Sequence, residues 1–341
     1  MMMISSGRWQ DYLISKRDLS SYSKKVIFTL GKGGTGKTTA STALAASLVE
    51  KGHKVLLVSL DPAHNVGDLL GVNLGDEVRK IRDNFFALEV DLEKSIKTYL
   101  KRTRRELKSI YSYLQIFNMD NYFDLLQDSP GIEEYALLER MIEILDREKY
   151  EYIIIDTAPT GVTLRVLSLP HITMKWIENL IKLRLKLLEK RKMIENVDGP
   201  RYINIGGDKI ELPSREEDDF VLGGLTDYYK RVEWIYRLIN TSDITSGLIV
   251  MNPDRLSLLE TGRIMKKLTG QGVSLKLMIV NKAGKNVFTN NTGLKELKNR
   301  YQDIKWLVHA ELENGLDDMD GLLKMGEKIL AKLPGIDNQG K

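Results

Sequence analysis

A glycine-rich segment carries the strongest chemical signal in the sequence. It reads GKGGTGKTT from Gly31 to Thr39, and its first eight residues fit the pattern G-x-x-x-x-G-K-[ST]. Glycines let backbone N–H groups approach a phosphate closely, and the N-terminus of a following helix adds partial positive charge. We expect Lys37 to reach the β- and γ-phosphates and Thr38 to offer its hydroxyl to Mg²⁺. The predicted phosphate-binding residues are Gly33, Gly34, Thr35, Gly36, Lys37, Thr38 and Thr39.

Two aspartates follow apolar runs that have the composition of buried strands. Asp156 comes directly after YIII, which is the Walker B arrangement, in which a carboxylate supports Mg²⁺ through water. Asp61 comes just after KVLLVSL, so it would lie at the sheet edge where open α/β sheets bind ligands. There Asp61 could orient or deprotonate an attacking water, or hold Mg²⁺ through water. As half of an Asp61-Pro62 pair it could also simply begin a turn.

The elements that must position these residues alternate between buried strands and helices. Such an alternation indicates a parallel sheet that is covered on both faces. The predicted fold class is therefore α/β, a P-loop fold with a doubly wound, mostly parallel sheet. The predicted strands are Val26–Leu30, Lys54–Leu60, Tyr152–Ile155, Gly247–Met251 and Leu275–Asn281.

Between these strands the pattern becomes helical, which predicts a helical subdomain from about residues 92–130 and 171–240. Residues 198–224 are rich in Gly, Pro and acidic side chains, and we interpret them as an insertion. Tyr202–Ile205 and Lys209–Leu212 predict a small hairpin within it. The whole P-loop domain is expected to span 25–335, after an N-terminal extension (1–24) and before a tail (336–341).

A basic amphipathic helix is predicted over about His171–Ile194, after Pro170. Apolar residues recur in it at helical spacing among many lysines and arginines. It either packs on the domain and exposes a solvated basic face, or belongs to a surface that receives an apolar client helix near an anionic membrane.

Composition limits the classes of function. The 341 residues are 42% apolar and contain no run of 18 apolar residues, so no integral membrane protein is expected. The net charge of +4 gives no reason to expect a nucleic-acid partner, and the beginning of the chain lacks a secretory pattern, so we expect a cytoplasmic protein. The chain has no cysteine, which excludes disulfides, thiolate zinc sites and cysteine nucleophiles.

The motifs together resemble those of the ArsA/GET-type ATPases, the arsenical-pump and tail-anchored-protein targeting branch of the deviant Walker A group. The resemblance touches about Lys24 to Lys332. It rests on KGGTGKT from Lys32, SLDPAHNVGD with Asp61, DTAPTG from Asp156, MNPDRLS from Met251 and IVNK with Asn281.

Membership of that family implies roles that the residues alone do not establish. Lys32 would be the signature lysine that reaches across a homodimer to the partner's phosphates, and Asp61 would position the attacking water. Asn281 would contact the adenine of ATP; the alternative is an Asn that caps the end of a strand. The resemblance thus implies an ATPase that uses ATP and Mg²⁺ and assembles as a homodimer around nucleotide.

The sequence departs from the family at two places. Val162 stands where the family often carries His in its second switch segment. The way in which bound nucleotide affects the rest of the protein is therefore expected to differ in detail at this position. Lys282–Gly293 occupies the region where targeting ATPases often carry a zinc-binding C-x-x-C pair, so neither zinc nor a zinc-clamped dimer is expected. The arsenical-pump relatives bind metalloid ions through thiolates, and no such site can form here.

The leading expectation is a targeting or chaperone-like ATPase for hydrophobic membrane-protein clients, with a membrane receptor as a further possible partner. One alternative is a nucleotide-gated interaction switch with little turnover of its own. Another is an energiser of a membrane anion pump that lacks a thiol metalloid site.

Overall fold

The computed structural model describes residues 19, 22–63, 65–110, 129–147, 149–158, 160–205, 208–284, 286–310 and 319–333. Most of the expected N-terminal extension and the whole C-terminal tail lie outside the described residues. His64 of the first switch segment and residues 111–128 of the predicted helical subdomain also lie outside them.

Eight strands of the described chain form one sheet, and two more form a separate hairpin. The strands of the sheet are β1 (Lys25–Leu30), β2 (Val55–Ser59), β3 (Arg79–Arg82), β4 (Phe85–Glu89), β5 (Tyr152–Asp156), β8 (Thr245–Met251), β9 (Leu275–Val280) and β10 (Lys305–Val308). The strands of the hairpin are β6 (Tyr202–Ile205) and β7 (Asp208–Glu211), which pair antiparallel within the region predicted as an insertion.

The strand order of the sheet is β10-β9-β8-β1-β5-β2-β4-β3, and only the pair β3 with β4 is antiparallel. Every residue of β2 and β5 is buried, because helices cover both faces of a sheet of this kind. The predicted doubly wound, mostly parallel α/β fold is therefore confirmed. The central strand β1 lies between β5 and β8, so the carboxyl ends of these three strands meet at one edge.

Three strands of the sheet were missed by the sequence reading. Two of them, β3 and β10, are the edge strands, and β4 lies next to β3. Edge strands are commonly short and charged, which protects them from pairing with other chains. The sequences RKIR and KWLV fit that description and do not contain the continuous apolar run by which a central strand is recognised.

Ten helices occur among the described residues. They are α1 (Lys37–Glu50), α2 (Asn65–Leu70), α3 (Leu92–Ile110), α4 (Ile132–Leu145), α5 (Thr160–Asp198), α6 (Phe220–Asn240), α7 (Arg255–Gly270), α8 (Val287–Asn290), α9 (Thr292–Arg300) and α10 (Met319–Leu330).

The long helix α5 corrects a prediction. It continues through Pro170 without a break, whereas the sequence pattern predicts a helix that begins after this proline. A proline inside a helix removes one backbone hydrogen bond and costs about 3 kcal/mol. Buried side chains on both sides of it, Leu167 and Ile177, contribute apolar burial of comparable size. We infer that packing outweighs the local penalty.

The described chain divides into two compact units. One holds the sheet and comprises Leu19–Leu92, Glu143–Leu167 and the residues from Leu238 onward. In it α1 packs against α10 so closely that a Cβ on Gly326 would lie 2.0 Å from the backbone oxygen of Ala43. This contact explains a glycine in the middle of α10, where the residue otherwise lowers helix stability.

The other unit is helical and comprises Glu93–Ile142 and Ser168–Arg237 of the described chain. Its small core contains Ile177 and Ile181 of α5 with Val232 of α6. Arg184 and the buried Asp219 form a two-pronged ion pair, with nitrogen–oxygen distances of 2.6 and 3.1 Å. Since Asp219 also accepts from the backbone N–H of Leu222, one carboxylate both pairs with α5 and caps the start of α6.

Among the helices that the structure describes, none combines the length and the apolar composition that a bilayer-spanning segment needs.

Candidate functional site

The glycine-rich loop connects β1 to α1, as the phosphate-loop pattern predicts. Gly31 has a φ of +145°, and a Cβ there would lie 2.1 Å from the backbone oxygen of Val250 on β8. Gly36 is the N-cap of α1 in the left-handed region, with a φ of +94°. Both positions therefore require glycine, one because of the neighbouring strand and the other because of the turn into the helix.

The two lysines of the loop occupy different environments. Lys37 is the first residue of α1 and is buried, with its Nζ 3.5 Å from the backbone oxygen of Lys32. Lys32 is only partly buried, and its carbonyl also accepts from the hydroxyl of Thr35 at 2.8 Å. Lys37 is thus held inside the loop beside the predicted phosphate position, whereas the side chain of Lys32 retains contact with solvent.

Asp156 ends β5 at the same edge of the sheet and is fully buried. Neither of its carboxylate oxygens forms a hydrogen bond of normal geometry among the described residues. Burial raises the pKa of Asp156 to about 7, while the nearby hydroxyls of Thr38 and Ser41 and the Lys37 ammonium lower the pKa and Asp61 raises it further. A buried carboxylate whose oxygens are not fully satisfied by protein groups is suited to hold a cation.

Mg²⁺ fits this arrangement. The ion prefers oxygen ligands, keeps several of its waters, and needs only one or two protein groups. Thr38 and Asp156 both offer oxygen atoms at this edge, and the Thr38 hydroxyl lies close enough to Asp156 to lower its pKa. A cluster of three or more His, Cys, Asp or Glu side chains that could hold a metal ion does not occur in the part of the chain that the structure describes.

Asp61 lies in a turn just beyond β2. Its backbone N–H donates to the Ser59 hydroxyl at 3.3 Å, and its Oδ1 accepts from the backbone N–H of Ala63 at 3.1 Å. Because Ser59 pairs in register with Asp156, the two aspartates lie at the same edge, and the charge of Asp61 acts on the pKa of Asp156. The turn that the sequence allowed therefore forms, and it keeps Asp61 near the buried carboxylate.

Asn281 follows β9 and is almost fully buried. Its Nδ2 donates to the backbone oxygen of Thr35 at 2.9 Å, so the side chain contacts the phosphate loop directly. The contact with a base that the family resemblance implies is not tested by this geometry and stays a prediction.

Three further side chains at this edge were given no role by the sequence reading. Thr157 donates to the backbone oxygen of Thr29 at 2.7 Å, and Thr160, the first residue of α5, donates to that of Gly31 at 3.3 Å. Buried Glu89 at the end of β4 accepts from the backbone N–H of Gly67 in α2 at 2.9 Å. The two threonines lie in the DTAPTG motif quoted above. No sequence motif marks Glu89, because β4 lacks the pattern by which the other strands are predicted.

Comparisons with known proteins show which family the chain resembles over most of its length. The profile of the anion-transporting ATPase family matches residues 24–320. A protein of Aquifex aeolicus, provisionally named arsenical pump-driving ATPase 2, is 32% identical over 87% of this chain and 91% of its own length. The ATPase get3 of Aspergillus terreus is 32% identical over 75% of this chain and 72% of its own length.

The family profile thus covers most of the chain and includes both the glycine-rich loop and Asn281. The resemblance that the motifs indicated is confirmed. The chain belongs to the anion-transporting ATPase family.

Proposed function

We propose that this chain hydrolyses ATP with Mg²⁺ as a nucleotide-assembled homodimer, and that it serves as a targeting or chaperone-like ATPase for membrane-protein clients. One observation carries the hydrolytic part of the proposal. The buried carboxylate of Asp156, whose oxygens form no hydrogen bond of normal geometry, lies near the ammonium of Lys37 and the hydroxyl of Thr38. A charged amine for the phosphates and a hydroxyl for the ion are the groups that a Mg²⁺-triphosphate requires.

The phosphates would be bound by the backbone N–H groups of the loop from Gly33 to Thr39 and by the N-terminus of α1. Lys37 would neutralise charge on the β- and γ-phosphates. Mg²⁺ would be held by the Thr38 hydroxyl and, through water, by Asp156. When bound, the ion neutralises charge that develops on the phosphate oxygens.

Asp61 would orient the water that attacks the γ-phosphate. Its placement in a turn at the same sheet edge as Asp156 supports this role, because the turn limits the positions its second carboxylate oxygen can take. Lys32 would reach the phosphates of the partner copy. Its partly exposed side chain in the middle of the phosphate loop supports that role.

The client role is supported by the surface of α5. Apolar side chains along one side of this helix are exposed, and they recur at spacings of three and four residues, which places them on one helical face. We call them the α5 stripe; they are Ile172, Trp176, Leu180, Leu183 and Leu187. Exposed apolar patches of this kind mark interaction sites, and Lys175 and Lys186 beside the stripe are exposed as well.

The alternative of a nucleotide-gated switch with little turnover is favoured by one observation. The Oδ1 of Asp61 is already engaged by the N–H of Ala63, which leaves a single carboxylate oxygen for a water. Turnover measurements separate the two functions, since a switch binds ATP without appreciable hydrolysis.

Replacement of the two proposed catalytic groups is expected to stop turnover. Lys37→Ala and Asp61→Asn should each lower kcat by at least about 100-fold, the usual cost of one preorganised transition-state contact. Steady-state phosphate release measures this. Asp83→Asn is the control, because this exposed carboxylate pairs only with neighbouring Lys80 among the described contacts. Wild-type turnover in Asp61→Asn would contradict the role of Asp61.

Removal of the proposed cross-subunit lysine should affect assembly. We expect Lys32→Ala to remain a monomer when Mg²⁺-ATP is added, because the positive charge that neutralises the partner's triphosphate is missing. Multi-angle light scattering with and without nucleotide measures the mass. Lys266→Ala, an exposed lysine on α7, should dimerise as the wild type does. An unchanged mass increase in Lys32→Ala would refute the cross-subunit model.

Asp156 should make stability depend on pH. Its folded pKa of about 7 lies above its ordinary value of 3.8, so the folded chain loses stability as pH rises between these values. Asp156→Asn removes this loss and should raise the Tm of the nucleotide-free protein more at about pH 8 than at about pH 5. With Mg²⁺-ATP at about pH 8, the wild type should instead have the higher Tm, since only the wild type binds the ion fully. A Tm difference between Asp156→Asn and the wild type that does not vary with pH would contradict the raised pKa of Asp156.

The α5 stripe should bind an apolar helix. We expect the double variant Trp176→Ser, Leu183→Ser to lose most of the affinity for a fluorescent peptide of about 20 apolar residues, the length of a membrane-spanning helix. Anisotropy measures the binding. The matched control is Leu256→Ser, Leu259→Ser on α7, whose side chains are 66% and 54% exposed against 66% and 56% for the tested pair. Equal losses in both variants would contradict a client site on α5.

A further inference from the structure

The segment after β9 is fastened at two points. The backbone N–H of Asn281 donates to the carbonyl of Met251 at the end of β8 at 2.8 Å. Its side-chain Nδ2 donates to the carbonyl of Thr35, which lies 246 residues earlier in the chain, at 2.9 Å. The residue is only 8% exposed. Asn281 therefore joins the ends of two strands to the phosphate loop in a place largely shielded from water.

The carbonyl that Asn281 binds has no role in the first turn of the helix. The first helical acceptor is the carbonyl of Gly36, which accepts from Ala40 at 2.9 Å. Thr35 precedes it, and its own hydroxyl and N–H both donate back to the carbonyl of Lys32. The bond from Asn281 thus satisfies a backbone oxygen at the bend of the loop, where the chain turns into α1.

The loop and the amide also fit each other sterically. A Cβ on Gly36 would lie 2.5 Å from the Nδ2 of Asn281. Gly36 is therefore constrained twice, by its positive φ and by the approach of this amide. The bend that brings Lys37 and Thr38 into position is the part of the loop that Asn281 contacts.

We propose that Asn281 is a positioning residue that holds the phosphate loop in its triphosphate-binding shape, whether or not it also contacts a base. This inference rests on the proposed function. The amide of Asn has two N–H donors and one acceptor oxygen, and the bond to Thr35 uses one donor. The other donor and the oxygen are not used by this bond, so the positioning role does not exclude a contact with a base.

The test compares a ligand that has a base with one that lacks it. The variants are Asn281→Ala and Asn281→Asp, and calorimetric titrations use Mg²⁺-ATP and Mg²⁺-tripolyphosphate. We expect Asn281→Ala to bind tripolyphosphate about tenfold more weakly than the wild type, the usual effect of one buried hydrogen bond, and Asn281→Asp to bind it more weakly still, because its carboxylate cannot donate to Thr35 and also repels the polyanion. Wild-type affinity for tripolyphosphate together with weakened ATP binding would overturn the inference, because Asn281 would then act on the base alone.

Asn291→Ala is the matched control. It removes the same kind of bond, from an Asn Nδ2 to the backbone oxygen of Pro253 at 2.8 Å, away from the phosphate loop. Its affinity for tripolyphosphate should not change. An equal loss in this variant would show a general effect of destabilisation and would also overturn the inference.

Hydrogen exchange of the nucleotide-free protein gives a readout that does not depend on ATP chemistry. The backbone amides from Thr35 to Lys37 should exchange faster in Asn281→Ala and in Asn281→Asp than in the wild type and Asn291→Ala. Unchanged exchange would overturn the inference. A wild-type chain that binds neither ATP nor tripolyphosphate, yet shows this difference in exchange, would overturn the proposed function and leave the positioning role in place.

Discussion

A buried carboxylate whose oxygens form no hydrogen bond of normal geometry lies inside the sheet unit, and the rest of the site is arranged around it. Burying the charge of Asp156 costs free energy that the nearby Lys37 and Thr38 lower only in part, as the raised pKa shows. A fold keeps such a group when a bound cation offsets the cost. The glycine-rich loop, the turn that holds Asp61, and the strand order all bring charge or hydroxyl groups toward this one position. The electrostatics of the edge are therefore the basis of the proposed site for Mg²⁺ and a triphosphate.

The parallel sheet explains how groups that are distant in sequence meet there. β1 lies between β5 and β8, and β9 lies beside β8, so the loops that follow all four strands leave the sheet at one edge. The phosphate loop follows β1, Asp156 is the last residue of β5, and Asn281 follows β9. The loop is held from two sides, by Thr160 at the carbonyl of Gly31 and by Asn281 at the carbonyl of Thr35. Contacts of this kind restrict the conformations of the loop, and a loop that is ordered before a ligand binds loses less entropy on binding.

The helix α5 connects this edge to a second environment. Its first residue, Thr160, contacts the phosphate loop, and its later turns carry the exposed apolar side chains of the α5 stripe. Pro170 lies between these two regions inside one continuous helix. Val162, at which the sequence departs from the family pattern, falls in the first turn of the same helix. The hydroxyl of Thr160 bonds to the phosphate loop at this same end of the helix.

The sequence by itself determined the central strands, the fold class and the local chemistry of the phosphate loop. Continuous apolar runs identify β1, β2 and β5, and the motif predicts the turn into α1 at Gly36, so these features follow from neighbouring residues. Only the tertiary structure decided the rest. The edge strands β3 and β10 take their place from the sheet and carry no apolar run, and the uninterrupted α5 depends on packing on both sides of Pro170. The bond between Asn281 and Thr35 depends on strand order, because two groups 246 residues apart meet only when β9 and β1 are placed in the same sheet.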